Sequence, residues 1–145
     1  MYIVSSCLAG VECRYDGKSN AVTEIVELVK EGAAIPLCPE VLGGLCIPRI
    51  PCEIVEGKVL TQSGHDVTAA FEMGAQKTLE IAKVLGANKA ILKSKSPSCG
   101  CGQIYDGTFS RQLKNGNGIA AQVLLAHGFC VQTEDEFVAN TVSGQ

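Results

Sequence analysis

The sequence predicts a three-layer α/β domain with a mostly parallel sheet and two small hairpins. Short apolar segments alternate with segments of helical periodicity along most of the 145 residues. Parallel strands need a crossover between them, and a helix supplies it in a right-handed βαβ unit. Three of the apolar segments also lead into a cysteine within a loop rich in Gly, Pro or Ser. We therefore expect an open sheet with a ligand site at the carboxyl edge of its strands.

The first half of the chain contains a βα unit, a second strand and a hairpin. Its predicted elements are a strand over 1–6, a loop from Cys7 to Asn20, a helix over 21–31, a strand over 33–38, an irregular loop over 39–51, and a hairpin formed by Glu53–Val55 and Lys58–Leu60. The helix places Val22, Ile25 and Val29 at helical spacing. Three prolines and a Gly-Gly pair predict that residues 39–51 have no regular structure.

The second half contains the longest predicted helix, two strands and a second hairpin. Its predicted elements are a helix from Asp66 to Leu85, a strand over 89–93, a hairpin over Ile104–Phe109, a helix over 117–127, a strand over Phe129–Gln132 and a short helix over Glu134–Asn140. Asp66 is a helix-capping residue type, and Gly86 ends the helix. Asp106-Gly107 suits the two-residue type I′ turn of a hairpin.

Composition and charge exclude several classes of partner. The chain has 12 basic and 15 acidic residues, a net charge of −3 and no basic run, so it lacks the charge pattern of a dedicated nucleic-acid binder. No segment is apolar for long enough to cross a membrane. The first residues lack the basic start of a secretion signal, so we expect a cytoplasmic protein with a small-molecule partner. The oligomeric state is not predictable from this pattern.

Three of the eight cysteines form a candidate metal site. Cys7, Cys38 and Cys99 each follow a predicted strand, so their thiols are expected to meet at one edge of the sheet. Thiolates bind zinc or iron–sulfur clusters in preference to hard cations, and three of them leave one coordination position open. The alternative is that they are small buried side chains, because free cysteine is often buried. Disulfides are disfavoured in a reducing cytosol.

The other five cysteines are weaker candidates. Cys101, two residues after Cys99, is the best competitor for a ligand position. Cys46 and Cys52 could line the pocket. Cys130 lies within an apolar strand, which predicts a place in the core. The remaining residue of this group is Cys13.

Several motifs make the sequence similar to a known family. They are Ser5-Ser6-Cys7-Leu8-Ala9-Gly10 with Arg14-Tyr15-Asp16-Gly17, Cys38-Pro39-Glu40-Val41 with Gly43-Gly44-Leu45 and Pro48-Arg49, Gly64-His65-Asp66-Val67-Thr68, and Ser96-Pro97-Ser98-Cys99-Gly100 with Ile104-Tyr105-Asp106-Gly107. In this order, and over nearly the whole chain, they resemble the thiouracil desulfidase family.

The resemblance implies a fold, a cofactor and a reaction. It implies a Rossmann-like α/β domain, here over residues 1–145, that binds a [4Fe-4S] cluster through Cys7, Cys38 and Cys99. The fourth iron is then free for sulfur. The implied reaction replaces the thiocarbonyl sulfur of a thiolated uracil by oxygen and releases sulfide without net redox chemistry. Some relatives act on thiolated nucleosides from RNA, so the substrate class is implied but the compound is not.

The residues near the three cysteines suggest catalytic roles. Glu40 is the predicted base that takes the proton of water, although a loop carboxylate can also be merely solvated. Ser96 is the predicted proton relay, and Ser98 and Arg14 are the predicted substrate-binding residues. The alternative for both serines is that they cap the turn that follows them.

A second function of a different class remains open from the sequence. The chain could be a zinc or iron–sulfur sensor, or a sulfur carrier, without catalysis of its own. A sensor needs an output surface such as a basic DNA-reading helix, and the sequence offers none. The enzymatic hypothesis is therefore preferred.

Overall fold

The computed structural model of the chain describes residues 1–143 and has the predicted alternation of strands and helices. In chain order the elements are β1 (Tyr2–Ser5), a 3-10 turn (Ser6–Ala9), α1 (Thr23–Lys30), β2 (Ala34–Leu37), α2 (Pro39–Leu42), β3 (Cys52–Val55), β4 (Lys58–Thr61), α3 (Thr68–Leu85), β5 (Lys89–Leu92), β6 (Gln103–Tyr105), β7 (Leu113–Asn115), α4 (Ile119–Ala126), β8 (Cys130–Thr133) and α5 (Glu134–Ser143).

The main sheet is parallel, and its strand order places a crevice at its centre. The order is β2-β1-β5-β8, and every neighbouring pair is parallel. The chain leaves β1 through α1 towards β2, whereas it leaves β5 through α4 towards β8 on the other side. The direction of winding therefore changes between β1 and β5, which is where open α/β sheets bind ligands. The predicted sheet is confirmed.

Helices cover both faces of this sheet, which gives the three predicted layers. Successive strand residues point to opposite faces. Ile3 packs in one core cluster with Leu79 of α3 and Leu124 of α4. Val4 packs in the other cluster with Ile25 of α1. These side chains are fully or almost fully buried.

The first predicted hairpin is confirmed. The second hairpin is present, but the turn predicted for it is wrong. β3 and β4 pair across Glu56-Gly57 as expected. In the second hairpin, β6 pairs with β7, so a loop of seven residues, Asp106–Gln112, replaces the predicted two-residue turn. The amide groups of Gly107 and Phe109 donate to the carboxylate of Glu53. The chain is thus drawn towards β3 after Asp106 and does not pair back at once.

Residues 39–51 contain a short helix that the sequence analysis did not predict. α2 begins directly after Cys38, with Pro39 at its first position and Gly43 at its end. Proline is tolerated at the first helical position because that N–H has no helical acceptor in any case. The prolines at 48 and 51 lie beyond the helix. The prediction of no regular structure is therefore wrong for these four residues.

The predicted helices are present, with small shifts at their starts. α1 and α4 begin two residues later than the predicted spans. α3 begins at Thr68, and the Asp66 carboxylate accepts a hydrogen bond from the Thr68 amide at 2.9 Å. The terminal helix extends three residues further than predicted, to Ser143. Within residues 1–143, no helix has the length and apolar composition required to cross a membrane.

The prediction for Cys130 is wrong. Its side chain is exposed. Cys130 is the first residue of β8, which lies at the edge of the main sheet and has a neighbouring strand on one side only. An apolar sequence around a cysteine does not reveal whether its strand is central or at an edge.

Candidate active site and metal centre

A cavity of about 400 Å³ opens at the carboxyl ends of β1, β2 and β5. Cys7, Cys38 and Cys99 all line it, as the sequence analysis predicted from their positions after three strands. Glu40, Ser96, Ser98 and Arg14 line it as well. The fold thus brings together the three predicted metal ligands and the four predicted catalytic and substrate-binding residues.

Each of the three cysteines is held by local backbone structure. Cys7 lies in the 3-10 turn that follows β1. Cys38 is the residue that precedes α2, in extended conformation. Cys99 follows β5, and its amide donates to the hydroxyl of Ser96 at 3.0 Å. The amide of Gly100 donates to the carbonyl of Ser96 at 2.8 Å, which closes this turn. Two turns and the start of a helix therefore present the three thiols.

A fourth thiol, which the sequence analysis ranked low, lies among them. Cys13 is 4% exposed, lines the cavity and contacts the side chains of Cys7 and Cys38. It lies within a loop without periodicity, so the sequence did not show that the loop folds back. The only signal was its place beside the Arg14-Tyr15-Asp16-Gly17 motif.

Burial and contacts with other thiols raise the pKa values of Cys13, Cys38 and Cys99. Burial raises the pKa of Cys99 to about 12, although the hydroxyls of Ser5 and Ser98 oppose the shift. The Cys13 thiol, followed by burial, raises the pKa of Cys38. Contact with Cys38 lowers the pKa of Cys13, but contact with Cys7 and burial outweigh it, and the value is about 11. A metal that binds these thiols must displace their protons.

The other cysteines divide between the cavity and the surface. Cys52 lines the cavity, and burial raises its pKa to about 11. Cys46 is exposed and does not line it. Cys101 lies in a separate, shallower pocket, with its thiol 3.9 Å from the carbonyl oxygen of Val131. Cys101 is therefore not the competitor for a ligand position that the sequence suggested.

Glu40, Ser98 and Ser96 form a hydrogen-bonded chain. The Ser98 hydroxyl donates to Oε2 of Glu40 at 2.7 Å, and the two serine hydroxyls are 3.0 Å apart. A hydroxyl has one proton. Because Ser98 gives its proton to the carboxylate, Ser96 must donate to Ser98. Ser98 is 2% exposed, whereas Ser96 is half-buried at the cavity. The chain thus runs from the cavity wall to the carboxylate.

Arg49 fixes the other oxygen of Glu40. Its Nε donates to Oε1 at 3.0 Å, and the two side chains are only 9% and 14% exposed. The same guanidinium donates to the carbonyl oxygens of Cys46 at 3.1 Å and Cys13 at 3.0 Å. It therefore ties α2 to two loops of the site. The sequence predicts no role for Arg49, whose only signal is the Pro48-Arg49 pair among the family motifs.

Arg14 lies at the cavity with polar partners of its own. Its Nη1 donates to Oδ1 of Asn20 at 2.9 Å, and its Nη2 is 3.6 Å from Oδ2 of Asp16. The guanidinium also lies 5.6 Å from the ring centroid of Tyr15. These contacts hold the guanidinium in place while it borders the cavity, and its role in substrate binding stays a prediction.

The wall of the cavity that includes the second hairpin is aromatic and basic. Tyr105, Phe109 and Arg111 line the cavity from β6 and the loop after it. Glu53 of β3 lines it beside them and is 8% exposed. None of these residues was predicted for the site, because their positions depend on how the two hairpins pack together.

The donor set fits an iron–sulfur cluster. Thiolates are the ligands that hold such clusters in proteins. Cys7, Cys38 and Cys99 offer three thiols from three separate turns around one cavity. Among the residues that the structure describes, no group of three or more Cys, His, Asp or Glu side chains has the arrangement to hold a single metal ion. The cluster assignment therefore depends on the type of donor and on the shared cavity.

Comparisons with known proteins agree with this arrangement. The profile of a family described as 2-thiouracil desulfurase matches residues 2–136. The protein YbbK of Bacillus subtilis (strain 168), described as uncharacterized, is 47% identical over 146 residues, which cover 94% of this chain and 97% of YbbK. A solved structure of the [4Fe-4S]-dependent thiouracil desulfidase TudS is 42% identical, with a TM-score of 0.91 over 98% of this chain and 95% of that chain.

Proposed function

The chain belongs to the 2-thiouracil desulfurase family, and on that premise we propose that it removes sulfur from a thiolated uracil. The thiocarbonyl group becomes a carbonyl group, water supplies the oxygen, and sulfide leaves. No electron is gained or lost in this exchange, so no reductant or oxidant is required. The substrate is a small thiolated pyrimidine, either a free base or a nucleoside.

The observation that carries the proposal is the composition of one cavity wall. Three thiols from turns after β1, β2 and β5 line it together with the Glu40 carboxylate and its serine chain. Thiols alone would suit a structural or sensing metal site as well as a catalytic one. A carboxylate with a hydrogen-bonded path beside them supports a reaction in which protons move.

Cys7, Cys38 and Cys99, which line this cavity, are the residues that would hold a [4Fe-4S] cluster. TudS, which shares the fold at 42% identity, is described as [4Fe-4S]-dependent. The chemistry that a bound cluster with one unligated iron supplies is Lewis acidity towards a thiocarbonyl group. With three protein ligands, one iron would have no ligand from the protein.

Glu40 is the group that takes the proton of the attacking water. Two of the lone-pair positions of its carboxylate are used by Arg49 and Ser98, and the others remain for water. If the two serine hydroxyls reverse their direction, the proton passes from Oε2 of Glu40 through Ser98 to Oγ of Ser96. Ser96 borders the cavity, where the departing sulfur needs a proton. Arg49 holds the carboxylate in orientation throughout.

The test is anaerobic reconstitution with iron and sulfide, followed by a panel of thiouracils and thiouridines. We expect brown protein with the iron and acid-labile sulfide of one cluster. We also expect sulfide release that equals the loss of thiocarbonyl absorbance, without an electron donor. Cluster-loaded protein that releases no sulfide from any member of the panel would contradict the proposal. Colourless protein with one bound zinc ion would instead favour a sensor or carrier.

A further inference from the structure

The loop between β6 and β7 forms one wall of the cavity and is bound from outside its own hairpin. Oε1 of Glu53 accepts hydrogen bonds from the amides of Gly107 at 2.9 Å and Phe109 at 3.1 Å. Glu53 belongs to β3, more than fifty residues earlier in the chain. One buried carboxylate oxygen thus holds two backbone positions of this loop against the first hairpin.

The backbone of this loop is unusual at Phe109 and Arg111, the two loop residues that line the cavity and that both have a positive φ. Phe109 has a φ of 58°, in the left-handed region that bulky side chains rarely adopt. Such conformations persist only where surrounding structure imposes them, and they cluster at ligand sites. The bonds to Glu53 are that surrounding structure here. Gly107 also packs closely, since a Cβ there would lie 2.8 Å from the carbonyl oxygen of Ile54.

The loop places the ring of Phe109 in a cavity that is lined by many polar groups and also by Tyr15 and Tyr105. Phe109 is half-buried and lines the same cavity as the polar thiols and the Glu40 chain. A pyrimidine has two flat faces and a polar edge. The face of a phenylalanine ring pairs with the flat face of a base and leaves the edge free for polar groups.

We propose that Phe109 is the residue against which the pyrimidine ring of the substrate stacks, and that Glu53 positions it there through the loop. This inference rests on the proposed function, because it assumes a pyrimidine in the cavity. Phe109 is then a specificity residue that recognises the ring and not its sulfur. Uracil, which keeps the ring without the sulfur, is therefore the probe of choice.

The first experiment uses cluster-loaded Phe109→Ala under anaerobic conditions, with turnover of thiouracil and equilibrium dialysis of uracil. Loss of a base–aromatic stack corresponds to a rise of roughly 5- to 100-fold in KM and in the uracil dissociation constant, with kcat changed far less. Phe109→Tyr keeps the ring and should bind uracil as the wild type does. Ser110→Ala, on the exposed side of the same loop, is the matched control and should change neither constant.

The second experiment tests the positioning role. Glu53→Leu removes the acceptor, whereas Glu53→Gln keeps a carbonyl oxygen for the two amides. We expect Glu53→Leu to weaken uracil binding as much as Phe109→Ala does. The double variant Glu53→Leu with Phe109→Ala should bind uracil no more weakly than either single variant. Glu53→Gln should retain most of the binding. If Glu53→Leu does not fold, Gly107→Ala displaces the same loop from β3 and should weaken binding likewise. Effects that add in the double variant would contradict the role of Glu53.

The outcomes separate this inference from the proposed function. Suppose that the wild type binds uracil but releases no sulfide from thiouracil, and that Phe109→Ala does not bind uracil. This result would support the ring site and refute the proposed reaction. Suppose instead that the wild type desulfurates thiouracil and that Phe109→Ala has the same KM and the same affinity for uracil. This result would refute the ring site alone. Absence of uracil binding to the wild type at millimolar concentration would also overturn the inference.

Discussion

Glu40 is held at both oxygens by partners of different kinds. A guanidinium donates to one oxygen and a hydroxyl to the other. The ion pair with Arg49 is almost fully withdrawn from water. Removal of one member of such a pair leaves an unpaired charge in a place that solvates it poorly. The stability of the site therefore depends on the pair as a unit more than on either residue.

Arg49→Met is predicted to destabilise the protein. It removes the charge partner of Glu40 and the donors to the carbonyl groups of Cys13 and Cys46. Breaking a buried ion pair by removal of one partner costs about 3–5 kcal/mol, and about 3 kcal/mol is expected here because both side chains keep some exposure. Urea unfolding of the cluster-free protein measures the loss without interference from metal binding.

The control for this prediction is the double variant Arg49→Met with Glu40→Gln. It leaves no lone charge, so it should be more stable than the sum of the two single changes implies. Arg49→Lys keeps the charge but not the planar fork and should fall between the wild type and Arg49→Met. If the loss of unfolding free energy in the double variant equals the sum of the losses in the two single variants, the two side chains are not coupled.

At the residue scale, the sequence reveals side chains that belong to regular elements and misses those that depend on loop folding. Cys7, Cys38 and Cys99 were predictable because the position of a strand end is readable from periodicity. Cys13 and Arg49 were not, because their place in the site results from two loops that fold back on the sheet edge.

At the scale of elements, α2 and α3 approach unusually closely through two glycines. A Cβ on Gly74 of α3 would lie 1.8 Å from the carbonyl oxygen of Pro39, and one on Gly43 would lie 2.0 Å from that of Ala70. Both obstacles are backbone atoms, which cannot rotate away. This contact holds α2, and with it Glu40 and the thiol of Cys38, against the longest helix of the fold.

Gly74→Ala is predicted to destabilise the protein, against the ordinary trend. Alanine in place of glycine within a helix normally stabilises it, by about 0.5–1 kcal/mol. Here the added methyl group forces α2 away from α3, and overpacking of this kind costs about 1–3 kcal/mol. Thermal unfolding measures the sign, and iron content after reconstitution reports the displacement of Cys38. Gln76→Ala, exposed on the same helix, is the control and should not lower stability.

The second hairpin shows why some elements escape sequence analysis. The Asp106-Gly107 pair favours a two-residue turn on local grounds. In the structure, a buried carboxylate from another hairpin binds the amides after Asp106 and opens the turn into a longer loop. The deciding partner, Glu53, is distant in sequence, and no local pattern identifies it. The first hairpin pairs across Glu56-Gly57 as predicted.

At the scale of the whole molecule, the site is a product of strand order. The three turns that present the thiols follow β1, β2 and β5, which are neighbours in the sheet. Parallel strands direct all their carboxyl ends to one edge, so residues 31 and 61 positions apart in sequence meet there. The direction of winding changes between β1 and β5, which leaves the crevice open above them.

This topology predicts which single cysteine variants of the protein retain iron. Cys7→Ser, Cys38→Ser and Cys99→Ser should each lose most of the cluster, because a site with three protein ligands cannot spare one. Cys130→Ser, exposed on an edge strand, is the control and should retain it. Cys13→Ser is the sharper comparison, since Cys13 contacts two of the three thiols but is not among the proposed ligands. Iron content and visible absorbance after anaerobic reconstitution give the result for each variant. Iron retained in Cys99→Ser but lost in Cys13→Ser would mean that the cluster is held by the thiols of the first two turns and the loop between them.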